Sequence, residues 1–142
     1  MPITLPGYFL YGLPIIAAIA YFCGCFNGAV IVSKYILRDD VRNHGSGNAG
    51  LTNFYRTFGG SLTLVVILTD VLKAVIAVLI GMWIAGHPPF GNDSLVVYGK
   101  YWAGLFCLLG HMFPCMFHFK GGKGMTILLS HLRASFSSLS KA

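Results

Sequence analysis

Two glycine-rich polar stretches hold most of the residues able to do chemistry. The first is Gly45-Ser46-Gly47-Asn48-Ala49-Gly50-Leu51-Thr52-Asn53-Phe54-Tyr55-Arg56, with His44 at its head, and the second is Lys120-Gly121-Gly122-Lys123-Gly124. Glycines free the backbone to turn and present N–H groups, while Ser, Asn, Thr, Arg and Lys add donors and positive charge. That combination suits a phosphate group. Thr52 and Arg56 are four residues apart and Asn53 and Arg56 three apart, so a helix resuming after Gly50 is expected to aim all three at one spot.

Known phosphate motifs fit these stretches poorly. Gly45 to Gly50 matches G-x-G-x-x-G, but the dinucleotide fingerprint needs a preceding strand and a βαβ unit, whereas here a long apolar run precedes it. Phe117 to Gly124 lacks the first Walker glycine and has Gly124 where Ser or Thr should follow the lysine, which argues against an NTPase. Ser46 has no strand-to-helix nucleophile elbow, so a Ser-His-Asp hydrolase is unsupported. His111 and His118 fall on roughly one helical face without a carboxylate at ligand spacing, and no metal is expected. His111 lies more than two helical turns before Lys120 and needs a hydrogen-bond partner, whether as a packing residue or as a base. Cys23, Cys25, Cys107 and Cys115 have neither zinc nor redox spacing and read as small apolar residues.

The elements that must position these stretches are apolar. Of the 142 residues 56% are hydrophobic and 10% charged, with a mean hydropathy of +0.72, far from the mix of a water-soluble domain. The expected fold is all-α: a polytopic transmembrane helical protein with about three spans, forming a single membrane-embedded domain over 1–142 with a divergent tail at 126–142. Leu5 to Ser33 carries no charged residue and reads as the first span. Within it Gly24 and Gly28 form a small-x-x-x-small pair suited to close helix contact, and Asn27 should face protein or a polar site. Leu62 to Ile84 reads as the second span. Its Asp70 and Lys73, three apart, share a helical face and neutralise each other, as a structural pair or as part of a substrate site. Tyr101 to Phe119 reads as the third.

With three crossings both glycine-rich loops lie on one side of the membrane. That side carries Lys34, Arg38, Arg42, Arg56, Lys120 and Lys123, which by the positive-inside rule places it in the cytoplasm and the N-terminus outside. The formal charge of +6 belongs to these flanks, and nucleic acid is not an expected partner, since the aromatics lie mostly in apolar runs.

The first stretch, followed across one returning hairpin by Gly110-His-Met-Phe-Pro-Cys-Met-Phe-His-Phe-Lys-Gly-Gly-Lys-Gly124, resembles the first two signature motifs of the bacterial acyl-phosphate:glycerol-3-phosphate acyltransferases. The resemblance covers about residues 5 to 125. It implies an integral enzyme of the bacterial inner membrane that moves a fatty acyl group from acyl phosphate to the 1-position of glycerol 3-phosphate, giving lysophosphatidic acid and phosphate without a cofactor. It implies catalytic roles for Ser46, Arg56, His111 and Lys123. Substrate phosphate would be bound by Gly45, Gly47, Asn48, Gly50, Thr52, Asn53, Lys120, Gly121, Gly122 and Gly124. Ser46 would orient a phosphate or act as nucleophile. Family members continue into further spans and a third motif with His and Asn. This sequence ends without it, His131 does not restore it, and a truncated or frame-shifted copy is expected. The alternative function is a non-catalytic membrane binding or channel subunit, or an inactive fragment, whose basic loops contact anionic lipid.

Overall fold

The computed structural model describes residues 7–123. Every regular element in that range is helical. A π-helical turn at Tyr8–Gly12 runs into α1 (Leu13–Cys25). The chain restarts as α2 (Gly28–Ile31), which continues through a second π turn, Val32–Ile36. Loop 1, residues 39–50, leads to α3 (Leu51–Phe58), and α4 (Leu62–Gly86) follows after Gly59 and Gly60 reverse the chain. A turn capped by Asn92 starts α5 (Val96–Met112), and loop 2, residues 113–123, returns beside loop 1.

Two stretches, Leu10–Ile36 and Leu62–Gly86, are long and apolar enough to cross a membrane. At 1.5 Å per residue α4 is about 37 Å long, more than the hydrocarbon core requires. The third run differs from the sequence reading. Its helix covers Val96–Met112 rather than Tyr101 to Phe119. Asn92 supplies a start signal by accepting the Ser94 N–H at 3.0 Å. The helix stops before Phe113, because a residue preceding proline, here Pro114, is pushed out of the α region.

The three long helices approach closely through small residues. A Cβ on Gly24 would collide with the Cys107 carbonyl of α5, and one on Gly28 would collide with Thr69 of α4, so each glycine of the 24/28 pair faces a different helix. Across the α4–α5 contact, Gly81 and Ala85 meet Gly99 and Ala103. One buried cluster, including Ile16, Ala20, Ala77, Ile84 and Ala103, fills this three-helix seam. A second, including Val30, Val41, Ala49, Phe54, Val66 and Phe117, lies beneath the loops. Leu64, Leu68, Val71, Leu72, Val75, Ile76, Leu79 and Trp83 leave the opposite face of α4 exposed and apolar, as a lipid-facing surface would be.

The break between α1 and α2 decides the polar architecture. Phe26 and Asn27 are extended, with ψ of 91° and 109°. A break at this depth frees backbone groups that lipid cannot satisfy. The Phe26 carbonyl accepts a hydrogen bond from Lys73 Nζ at 2.8 Å, and the Gly28 N–H points to Asp70 Oδ1 at 3.5 Å. Lys73 and Asp70 pair with each other at 2.7 Å. Both face inward, as their spacing predicts, and they serve the broken helix.

Candidate active site

Loop 1 is shaped from below by uncharged side chains. Gly45 and Gly47, with φ of 53° and 68°, make turns that L side chains rarely adopt. Asn53, on α3 and 5% exposed, lies under them. Its Nδ2 donates to the carbonyls of Val41, His44 and Asn48, each at 3.0 Å, and its Oδ1 accepts the Ser46 N–H at 3.1 Å. Two amide hydrogens serve three carbonyls, so at least one is shared. Asn27, at the helix break, donates to the Ala49 carbonyl at 2.9 Å and caps α2 by accepting the Val30 N–H at 3.1 Å. Ser33 Oγ accepts the Val41 N–H at 3.1 Å.

Loop 2 is held by backbone and by charge. It folds back so that the N–H groups of Gly121 and Gly122 donate to the carbonyls of Met112 and His111, both at 3.1 Å, satisfying the open C-terminus of α5. A side chain on Gly121 would overlap the His111 carbonyl, and a Cβ on Gly122 would sit 2.5 Å from His111 Nε2. Arg42 joins the two loops. Its Nη2 and Nε contact Asp40 at 2.6 to 3.1 Å, its Nη1 donates to the Phe117 carbonyl at 2.9 Å, and its guanidinium lies 5.7 Å from the Phe117 ring centroid. These bonds hold the Asp40 carboxyl below its ordinary pKa and raise that of Arg42.

Between the loops is a cleft of about 280 Å³ lined by Gly47, Asn48, Met112, Phe113, Phe119, Lys120, Gly121, Gly122 and Lys123. Asn48 Oδ1 is buried without a hydrogen-bond partner among the described residues. An adjoining cleft of about 320 Å³ shares Gly47 and Lys120 and adds Asp40, Arg42, Asn43 and His118.

Beneath the cleft, His111 finds the partner its position requires. Lys73 Nζ is 2.8 Å from His111 Nδ1, while Asp70 Oδ1 stands 4.0 Å away. His111 Nδ1 is thus within hydrogen-bond reach of Lys73, and its Nε2 faces Gly122.

The sequence-predicted residues thus divide. Gly47, Asn48, Lys120, Gly121, Gly122 and Lys123 share one cleft, with His111 packed against its floor. Gly45 and Gly50 belong to the turns of loop 1. Ser46, Thr52 and Arg56 are exposed. Thr52 and Arg56 keep a common face of α3, but Asn53 turns inward, contrary to the three-residue convergence read from spacing, because Asn53 and Phe54 form the buried side of that helix. The amides of Ser46 and Gly47 are engaged within loop 1 or by Asn53, and those of Gly121 and Gly122 by the end of α5, contrary to the expectation that these glycine-rich stretches present free N–H groups. Gly124, His131 and the tail at 126–142 lie outside the described residues. Sequence reasoning missed Arg42 as a link between loops and missed that Cys25 and Cys115 approach to 3.9 Å between sulfurs. Neither has a local signal, since each depends on a contact across many residues.

The family model described as "Glycerol-3-phosphate acyltransferase" matches residues 14–138. The chain belongs to the glycerol-3-phosphate acyltransferase family. Among relatives of that name, the protein of Thermoanaerobacter pseudethanolicus is 44% identical over 109 residues, covering 77% of this chain and 50% of the relative. That of Pseudomonas aeruginosa is 35% identical over 111 residues, covering 78% and 54%. The fold is similar to PlsY, an integral membrane glycerol 3-phosphate acyltransferase, in its glycerol 3-phosphate form. The TM-score is 0.64 at 33% identity, over 79% of this chain and 52% of that one. The lysophosphatidic acid form of PlsY gives a TM-score of 0.60 at 32% identity, over 79% and 50%. The chain spans about half the length of the curated relatives it matches. With its apolar helices and only helical elements among the described residues, this acyltransferase-family chain is a polytopic membrane protein.

Proposed function

We propose that the cleft between the two loops binds phosphate-bearing substrates and transfers a fatty acyl group from acyl phosphate to the 1-hydroxyl of glycerol 3-phosphate. The observation that carries this reading is the convergence of Gly47 and Asn48 from loop 1 with Lys120 to Lys123 from loop 2 on one cleft. Family membership supplies the acceptor. The acyl-phosphate donor, the lysophosphatidic acid product, and a bacterial inner membrane with both loops in the cytoplasm complete the proposal.

The chemistry needs little from the protein beyond placement and charge. The glycerol oxygen attacks the acyl carbonyl carbon, an ester bond forms, and the bond from acyl carbon to phosphate oxygen breaks. The hydroxyl proton leaves with the phosphate. Lys120 and Lys123, on the cleft wall, offset the charge on the departing phosphate; Arg56 and Ser46 line neither cleft, and their proposed roles, charge offset and orientation of the phosphate, require the substrate to reach beyond it. His111 supports Gly122 from beneath. An apolar groove of about 490 Å³ between α1 and α5, lined by Ala17, Tyr21, Phe22, Phe106, Leu109 and Phe113 among others, shares Phe113 with the polar cleft. It suits the acyl chain, entering from the lipid side.

Membranes containing the protein are incubated with labelled acyl phosphate and glycerol 3-phosphate. Product above a vector control is expected, and Arg56→Ala and Lys123→Ala, each still inserted, should lower the rate by about 100-fold. Near-normal rates in both variants overturn the proposal. Binding without turnover favours a non-catalytic anion-binding subunit.

A further inference from the structure

The basic side chains at the loops differ in what they touch. Lys120 and Lys123 are exposed in the cleft wall, whereas the Arg42 side chain is only 14% exposed and its charge is matched by Asp40. Three of its N–H directions are already used, two toward Asp40 and one toward the Phe117 carbonyl. Arg42 is therefore a poor candidate for gripping a phosphate. What it holds is a turn. The Phe117 carbonyl also accepts the Lys120 N–H at 3.2 Å, so one oxygen fixes both the strut and the base of the turn that presents Lys120. The two residues between, His118 and Phe119, have φ of 55° and 58°, a left-handed conformation that non-glycine residues adopt only where surrounding contacts impose it.

We infer that Arg42 is a positioning residue, a strut from loop 1 that fixes the left-handed turn of loop 2 and so sets where Lys120 and Lys123 stand over the cleft. The inference rests on the acyl-transfer reading for its functional consequence, though not for its geometry. Planarity matters here. A guanidinium spans the Asp40 carboxylate and the Phe117 carbonyl while lying over the Phe117 ring, and an ammonium cannot make that set of contacts together.

The test uses the full chain in lipid nanodiscs, with Arg42→Ala, Arg42→Lys and Asp40→Asn. Trypsin cleavage after Lys120 and Lys123 is timed by mass spectrometry, with cleavage after the exposed Arg56 of α3 as the internal reference. Both Arg42 variants should accelerate cleavage at the two loop 2 lysines by roughly tenfold or more, the factor matching loss of one charge-assisted hydrogen bond. Asp40→Asn, which leaves the Phe117 contact in place, should give a smaller rise at the same sites. Cleavage after Arg56 should stay unchanged. Loop 2 rates within twofold of wild type in Arg42→Ala, full rescue by Arg42→Lys, or an equal rise at all three sites in every variant overturns the inference. Transfer assayed in parallel separates the two claims: an inactive wild type counts against acyl transfer, while the cleavage pattern still decides the strut.

Discussion

Loop 1 and loop 2 present similar glycine-rich polar sequences to one cleft, and they are held in different ways. Loop 1 rests on neutral hydrogen bonds from side chains buried beneath it, chiefly Asn53, Asn27 and Ser33. Loop 2 has its amides tied to the end of α5 and its turn tied to loop 1 through the charged Asp40–Arg42 pair. The difference teaches that glycine-rich loops of similar composition need not be interchangeable. Loop 1 is the platform, and loop 2 is docked onto it.

The largest effect should come from removing the support of the platform. Asn53→Ala strips four hydrogen bonds from loop 1 backbone groups and should lower its local opening free energy by about 3 kcal/mol, roughly a hundredfold in exchange. Hydrogen exchange at the Ser46 amide checks this, with the Gly121 and Gly122 amides rising much less because their acceptors lie on α5. Equal loss of protection in both loops would break the comparison.

A smaller effect, confined to the docked loop, should follow acidification. The Asp40 pKa in the folded protein lies below its ordinary value of 3.8. A carboxyl with a depressed folded pKa contributes stability that is present above the unfolded value and lost as pH falls through the folded one. As pH drops below 3.8 and through the lower folded pKa, therefore, Arg42 progressively loses its charged partner, and the Phe119 and Lys120 amides should lose protection once intrinsic exchange rates are corrected for pH. The Ser46 amide, held by the uncharged Asn53, should not. Loss at Ser46 over the same window would show that charge supports loop 1 as well.

Much of this arrangement is legible in the sequence, for reasons that differ by residue. The chemistry of the loops is local, so Gly47, Asn48, Lys120 and Lys123 announce themselves by type. Asp70 and Lys73 are readable because three residues on a helix is a direct neighbour relation. The inward turn of Asn53 is hidden by the same rule, since spacing alone does not say which side of α3 is buried. The helix break at Phe26–Asn27 has one local sign, Asn27 as an N-cap residue before Gly28, but nothing local shows that the Phe26 carbonyl will be claimed by Lys73. Arg42 reads as one more cation at a membrane exit. Its role depends on Phe117, 75 positions away, and one sequence carries no record of that contact.

The central claim is that the two loops form one phosphate-binding cleft. Equilibrium binding of labelled glycerol 3-phosphate to the protein in lipid nanodiscs tests it most directly, with Asn48→Ala representing loop 1 and Lys123→Ala loop 2. Saturable binding that inorganic phosphate competes away is expected, weakened about tenfold or more by either substitution alone. No saturable binding, or wild-type affinity in either variant, would contradict it.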